Sequence, residues 1–151
     1  MKDKDTINTL NNLIETCKDG EYGFNASAEH AVDPQIKDLF LTRAHDCRAA
    51  AAELQTLVVR LGGKPEDSGT ATGTVHRGWV AVKGTLSGYT DLAMLEETER
   101  GEDAALDRYR EALKEDLPVE VRTMVEAQLA GVKRNHDQIR SLRNQLRATT
   151  D

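Results

Sequence analysis

Residues 95–109 read LEETERGEDAALDRY. Around them Leu92, Leu95, Leu106, Tyr109 and Leu113 recur at alternating spacings of three and four, which draws one buried stripe along a helix. The same count, carried between Leu95 and Leu106, lands on Glu99 and Glu102. The helix therefore sets two carboxylates in its own core seam. Burying a charge without a partner costs several kcal/mol, so other groups must meet them there.

The chain that surrounds this helix is suited to helices throughout. Its 151 residues are 38% apolar and 30% charged, with three prolines, a mixture that predicts an all-α fold in one domain over 1–151. A formal net charge of -6 argues against a binder of phosphate backbones, so nucleic acid is not an expected partner. No window approaches the roughly 18–20 apolar residues of a membrane span, and MKDKDTINTL lacks the apolar centre of a signal peptide. The expectation is a cytoplasmic protein with no membrane partner. Cys17 and Cys47 fall on apolar stripes and read as small buried hydrophobes in a reducing compartment.

Ile7, Leu10, Ile14, Cys17, Glu21, Phe24, Ala28 and Ala31 keep helical time, predicting a helix over 6–31. Asp33-Pro34 then starts a second, over 34–61, because the aspartate caps free N–H groups and proline is tolerated in a first turn. Its stripe is Ile36, Phe40, Arg43, Cys47, Ala50, Leu54, Leu57 and Leu61, and Gly62-Gly63 ends it. A turn-rich stretch leads to a short helix over 74–87 carrying His76, Arg77 and Trp79; the opening helix runs over 90–115. Pro118 begins the last, over 118–147, with Val125, Leu129, Val132, His136, Ile139 and Leu146 inward.

Two tight joints make two antiparallel hairpins. A long helix of this size measures about 40 Å, and the linker between the hairpins is long enough to run that length and enter the next helix from the opposite end. That is the ferritin-like four-helix bundle, with the Trp79 segment in the crossover. The alternative is an up-down-up-down bundle with that segment folded across one end.

Ionisable residues on the inward stripes are Glu21, Arg43, Glu99, Glu102 and His136. Counting back from the hairpin turns sets Glu21 beside Arg43, His45 and Asp46, and sets Glu99 and Glu102 beside His136. Carboxylates and imidazole at one depth of a bundle are the ingredients of a carboxylate-bridged dinuclear site, which takes one Glu from each of two helices and a Glu-x-x-His pair from each of the others. Such donors suit iron, manganese or zinc. The candidate ligands are Glu21, Asp46, Glu99, Glu102 and His136. The match is incomplete: Lys133 stands where the last helix should carry Glu, Ala49 where the second should carry His, and Arg43 can fill a cation's place by pairing with Glu21. A metal-free network of Arg43 with Glu21 and His136 with Glu99 or Glu102 satisfies the same groups.

Weaker candidates have ordinary explanations. His30 and His45 lie at the edges of their stripes, and Trp79 reads as a lid on the core. Arg134, Arg140, Arg143 and Arg147 face the acidic side of the neighbouring helix, Glu96, Glu97, Asp103 and Asp107, as salt-bridge partners. The sequence holds no glycine-rich phosphate loop, no GxSxG and no CxxC.

At HRGW, ERGED and NHDQIRSLR the chain resembles an uncharacterised bacterial family of ferritin-like four-helix-bundle proteins, a domain of unknown function, over nearly its whole length. The resemblance implies the ferritin-like fold and, through the wider superfamily of ferritins and rubrerythrins, a stress-related role. By the same resemblance Glu21 and Glu102 correspond to the single glutamates of the first and third bundle helices, Tyr109 to an aromatic seven residues on, and His136 to the fourth-helix histidine. The departures at 49 and 133 leave iron oxidation out of what is carried over. Two functions stay open: a degenerate carboxylate and histidine metal site, or a non-catalytic interaction module with a metal-free core network. A homodimer is expected through an outer face marked by Leu13, Val59 and Met94; the protein partner is unknown.

Overall fold

The computed structural model describes residues 3–67 and 90–150. The short helix expected over 74–87, with His76, Arg77 and Trp79, lies outside the described residues. Among the described residues there are four helices: α1 (Asp3–His30), α2 (Pro34–Arg60), α3 (Asp91–Leu113) and α4 (Val119–Thr150). Each follows one of the long apolar stripes to within a few residues.

The helix ends show how local chemistry sets the boundaries. Asp33 caps α2, its Oδ1 accepting from Gln35 N–H at 2.8 Å, with Pro34 in the first turn. Gly62 closes the hairpin end at φ 81, a left-handed conformation that favours glycine. Thr90 caps α3 by accepting from Ala93 N–H at 3.0 Å.

Two contacts decide the topology. Both oxygens of Asp91, the first residue of α3, accept backbone N–H bonds from Val32 and Asp33 at 2.9 Å, so α3 starts beside the start of α2. At the other end Arg60 of α2 meets Glu120 of α4 at 2.5 Å. The chain thus leaves α2 at one end of the bundle and enters α3 at the other, and α2 and α3 run parallel. That is the ferritin-like arrangement; an up-down-up-down path would start α3 where α2 ends. The outgoing linker is pinned to α1 by Asn11, which accepts from Glu66 N–H at 2.8 Å and donates to Lys64 O at 3.2 Å.

The core forms two apolar clusters stacked along the axis. One holds Leu10, Ile14, Leu54, Leu57, Tyr109 and Val125. The other holds Phe24, Phe40, Met94, Leu95 and Ile139, with the rings of Phe24 and Phe40 6.1 Å apart. The dimer face expected from sequence needs correction. Leu13 and Met94 are buried at 1% and 0% exposure, because α1 and α3 each pack against two neighbours and bury a second stripe. Only Val59 of that set is exposed, at 60%.

Candidate metal centre and ion layer

Between the two apolar clusters lies a level of buried charge. Arg43 of α2 and Glu102 of α3 are each 3% exposed and joined across the bundle: Nε and Nη2 of Arg43 donate to one oxygen, Oε1 of Glu102, at 3.1 and 2.8 Å. Nη1 donates to Asp46 Oδ2 at 3.0 Å, and the guanidinium carbon sits 5.4 Å from the centre of the Phe24 ring. Burial pulls the guanidinium down, but Glu102, Cys47 and Asp46 together more than offset it, Glu102 foremost, and hold Arg43 above its ordinary value. For Glu102 the balance tips the other way, and burial raises its carboxyl although Arg43 pulls it back.

The sequence expected Glu21 as the partner of Arg43. It is not. Glu21 lies at the half-exposed rim of α1, 3.7 Å from Lys18 one turn earlier. Arg43 instead takes Glu102, because the parallel run of α2 and α3, set by the Asp91 cap, brings 43 and 102 to one depth. Among the described residues a dinuclear carboxylate site therefore does not fit. All three guanidinium nitrogens are bonded to Glu102 and Asp46, two of the expected ligands; Ala49 and Lys133 supply no ligands of the required kind, and Glu21 is turned elsewhere.

On the α3/α4 side the arrangement differs. Glu99, Asp103 and His136 offer one donor atom each, all within 4.8 Å of one another. Glu99 and Asp103 are one helical turn apart on α3 and so project together toward the facing helix. His136, 4% exposed, points Nε2 at them, 2.5 Å from Asp103 Oδ1 and 3.9 Å from Glu99 Oε2. Close as these approaches are, Nε2 makes no aligned hydrogen bond. The other ring nitrogen, Nδ1, lies 3.4 Å from Asp137 Oδ1; an N–H placed there leaves a bare lone pair on Nε2. A lone pair facing carboxylate oxygens is repulsive, so the position among them calls for a metal cation or a proton on Nε2. Glu99 also takes Arg143 at one oxygen and Arg140 Nε at 3.5 Å on the other, so part of its charge is met within the protein.

Asp103 was assigned by its spacing to the outer, salt-bridging face. Its side chain is indeed 56% exposed, but its carboxylate reaches back to His136. The four-residue step from Glu99 was the signal in the sequence. On the same face Arg147 meets Glu96 at 3.0 Å as expected, whereas Asp107 pairs within α3, 3.9 Å from Arg110. His30 ends α1 half-buried and His45 is exposed.

A third polar feature ties all four helices. Tyr109 Oη donates to Gln128 Oε1 at 2.7 Å and so receives the Cys17 thiol proton at 3.2 Å; Gln128 Nε2 donates to Ala50 O and Glu53 Oε1 at 3.2 and 3.1 Å. Burial raises the Tyr109 hydroxyl well above its ordinary value and pushes the Cys17 thiol up to about 11. A cavity of about 1030 Å³ opens beside this network and the ion pair. Cys47 faces it, which leaves that residue half-buried although protein atoms surround its thiol closely enough to push it far up. Both cysteines are free.

The profile of a family described as Domain of unknown function (DUF2383) matches residues 5–115. The chain belongs to the DUF2383 family. The match takes in α1 to α3 and ends before α4, so NHDQIRSLR lies beyond it. Among solved structures the fold is similar to a Dps1 mutant from Mycobacterium smegmatis, at 16% identity over 93% of this chain and 95% of that one, with a TM-score of 0.76. It is similar as well to a ferritin-like, diiron-carboxylate protein from Bacillus anthracis, at 17% identity over 94% and 97% of the two chains, with a TM-score of 0.75. A search of the curated proteins finds no match. At these identities the likeness bears on the fold, which is ferritin-like. No helix among the described residues is long and apolar enough to cross a membrane.

Proposed function

We propose that this DUF2383 protein binds one divalent transition-metal ion, iron, manganese or zinc, through Glu99, Asp103 and His136. The observation that carries the reading is His136 Nε2, buried and without an aligned hydrogen bond, facing two carboxylates. One imidazole nitrogen and two carboxylate oxygens are the donor set these metals share, and three protein ligands leave a coordination position open. The similar Bacillus anthracis chain is a ferritin-like, diiron-carboxylate protein, which supports metal handling here, and the residues of this chain support one ion in place of two. Of the ligands expected from sequence, Glu99 and His136 are retained in this reading, Glu21, Asp46 and Glu102 are not, and Asp103 is added.

A second reading rests on Arg143 and Arg140. They already hold Glu99, which favours a metal-free network in a helical interaction module. Thermal unfolding separates the two. A ligand that binds only the folded chain at a hundredfold excess over Kd adds about 2.7 kcal/mol. Fe(II), Mn(II) or Zn(II) should raise the Tm of the native protein and leave His136→Ala and Asp103→Asn unmoved; a native Tm indifferent to all three metals overturns the proposal.

The reading also takes the chain as a single-domain, cytoplasmic homodimer. Its two free cysteines support a reducing compartment. Exposed Leu41 and Val59 on α2 support a paired face there, and a monomer mass in sedimentation at tens of micromolar, roughly, would remove the dimer.

A further inference from the structure

The misfit of a dinuclear site has a particular form. Arg43 does not merely block the central position of the bundle; its charge is distributed as a bridging cation's would be. Two nitrogens converge on Glu102 Oε1, the third takes Asp46, and the group is almost wholly shielded, its side chain 4% exposed. The anions it serves come from two helices, Asp46 from α2 and Glu102 from α3. Removing the guanidinium would leave the Glu102 carboxylate buried at 3% exposure, with Asp46 one turn along α2 from the vacated space and the negative end of the Glu99–Asp103 group close by on α3. A compact divalent cation is the simplest replacement for that lost charge.

We infer that Arg43 is a built-in cation standing where a second metal would otherwise bind, so that Glu102 and Asp46 form a carboxylate site held closed by the protein's own guanidinium. The native chain then takes at most one divalent ion, at His136, and has no dinuclear centre. The inference shares its bundle level with the proposed one-metal reading but does not depend on it, since the Arg43 contacts stand whether or not His136 binds metal.

The test is metal stoichiometry, with Mn(II) as the probe, read by calorimetric titration and by elemental analysis after desalting. Arg43→Ala and the bulkier Arg43→Gln should each bind one more Mn(II) per chain than the native protein. Arg43→Lys, which keeps a cation in place, should bind no more than native. Adding Glu102→Gln to Arg43→Ala should abolish the extra ion, because an amide is a poorer ligand than a carboxylate. A native chain that binds none while Arg43→Ala binds one would sink the His136 site and leave this inference standing. Equal stoichiometry in native, Arg43→Ala and Arg43→Gln overturns the inference. Should both variants be unfolded without metal, Mn(II) is expected to restore their helical circular dichroism; chains that stay unfolded in excess Mn(II) count against it.

Discussion

Replacing Glu102 by Leu removes the oxygen that two of the three Arg43 nitrogens donate to and leaves the guanidinium with Asp46 alone. Arginine has no neutral form to retreat to, so the expected loss is about 3–5 kcal/mol of unfolding free energy at any pH near neutrality. Arg43→Met strands the partner instead, and the partner can take up a proton. Burial already raises the Glu102 carboxyl with Arg43 beside it, so without Arg43 the protonated acid is the folded form. Neutralising a carboxyl of ordinary value about 4.3 costs up to about 3.7 kcal/mol at pH ~7 and only about 1 kcal/mol at pH ~5. A carboxyl raised by folding contributes most below its unfolded value and loses that contribution as pH rises. Arg43→Met should therefore recover on acidification, relative to the native protein, by up to about 2.7 kcal/mol. The double variant fills the space with apolar groups and should come within about 1 kcal/mol of native stability or exceed it. Urea unfolding in EDTA at the two pH values measures all four corners of the cycle. Additive single losses, or an Arg43→Met deficit that ignores pH, would refute the account of a mutually dependent buried pair.

Other consequences are smaller. A Cβ on Gly20 would meet Cys47 Sγ at 2.8 Å, so Gly20→Ala should destabilise the native chain by about 1 kcal/mol in thermal unfolding, yet stabilise the Cys47→Ala background by about 0.5–1 kcal/mol, the helix-propensity gain. The Cys17 thiol, pushed up by burial to about 11, contributes stability that is complete below its ordinary value of 9.0 and is lost as pH climbs between the two. Its share of that alkaline loss is about 2–3 kcal/mol and should shrink in Cys17→Ala when denaturant curves are compared. Asp91→Ala strips the Val32 and Asp33 N–H groups of their acceptors and should cost about 1–2 kcal/mol, whereas Asp91→Asn, which keeps one acceptor, should cost less.

The same particulars show what could be read from the chain beforehand. Apolar stripes on Leu10, Leu54, Leu95 and Ile139 give the helices, and the length of the linker allows the crossover, since both are local properties of the chain. Burial of Arg43, Glu99, Glu102 and His136 was legible for the same reason. Pairing was not. Whether Arg43 meets Glu21 or Glu102 depends on how far one hairpin is displaced along the other, and that offset is tied by Asp91 capping Val32 and Asp33, a contact between residues distant in sequence. Asp103 escaped because a residue half on the surface reads as solvated, although its spacing from Glu99 aims its carboxylate at His136. Leu13 and Met94 lie off the main apolar stripes and so read as outer positions, but helices with two packed neighbours bury a second stripe.

On the proposed reading this ferritin-like chain holds a single metal ion at His136, with Arg43 still paired to Glu102. Anomalous diffraction from crystals of the native protein grown with Zn(II) locates that ion. One peak is expected about 2.0–2.1 Å from His136 Nε2, with Glu99 and Asp103 oxygens at about 2.0–2.2 Å and the Arg43 to Glu102 pair intact. Two peaks about 3.5–4 Å apart with Arg43 displaced, or no peak and an imidazole hydrogen-bonded through Nε2, would contradict it.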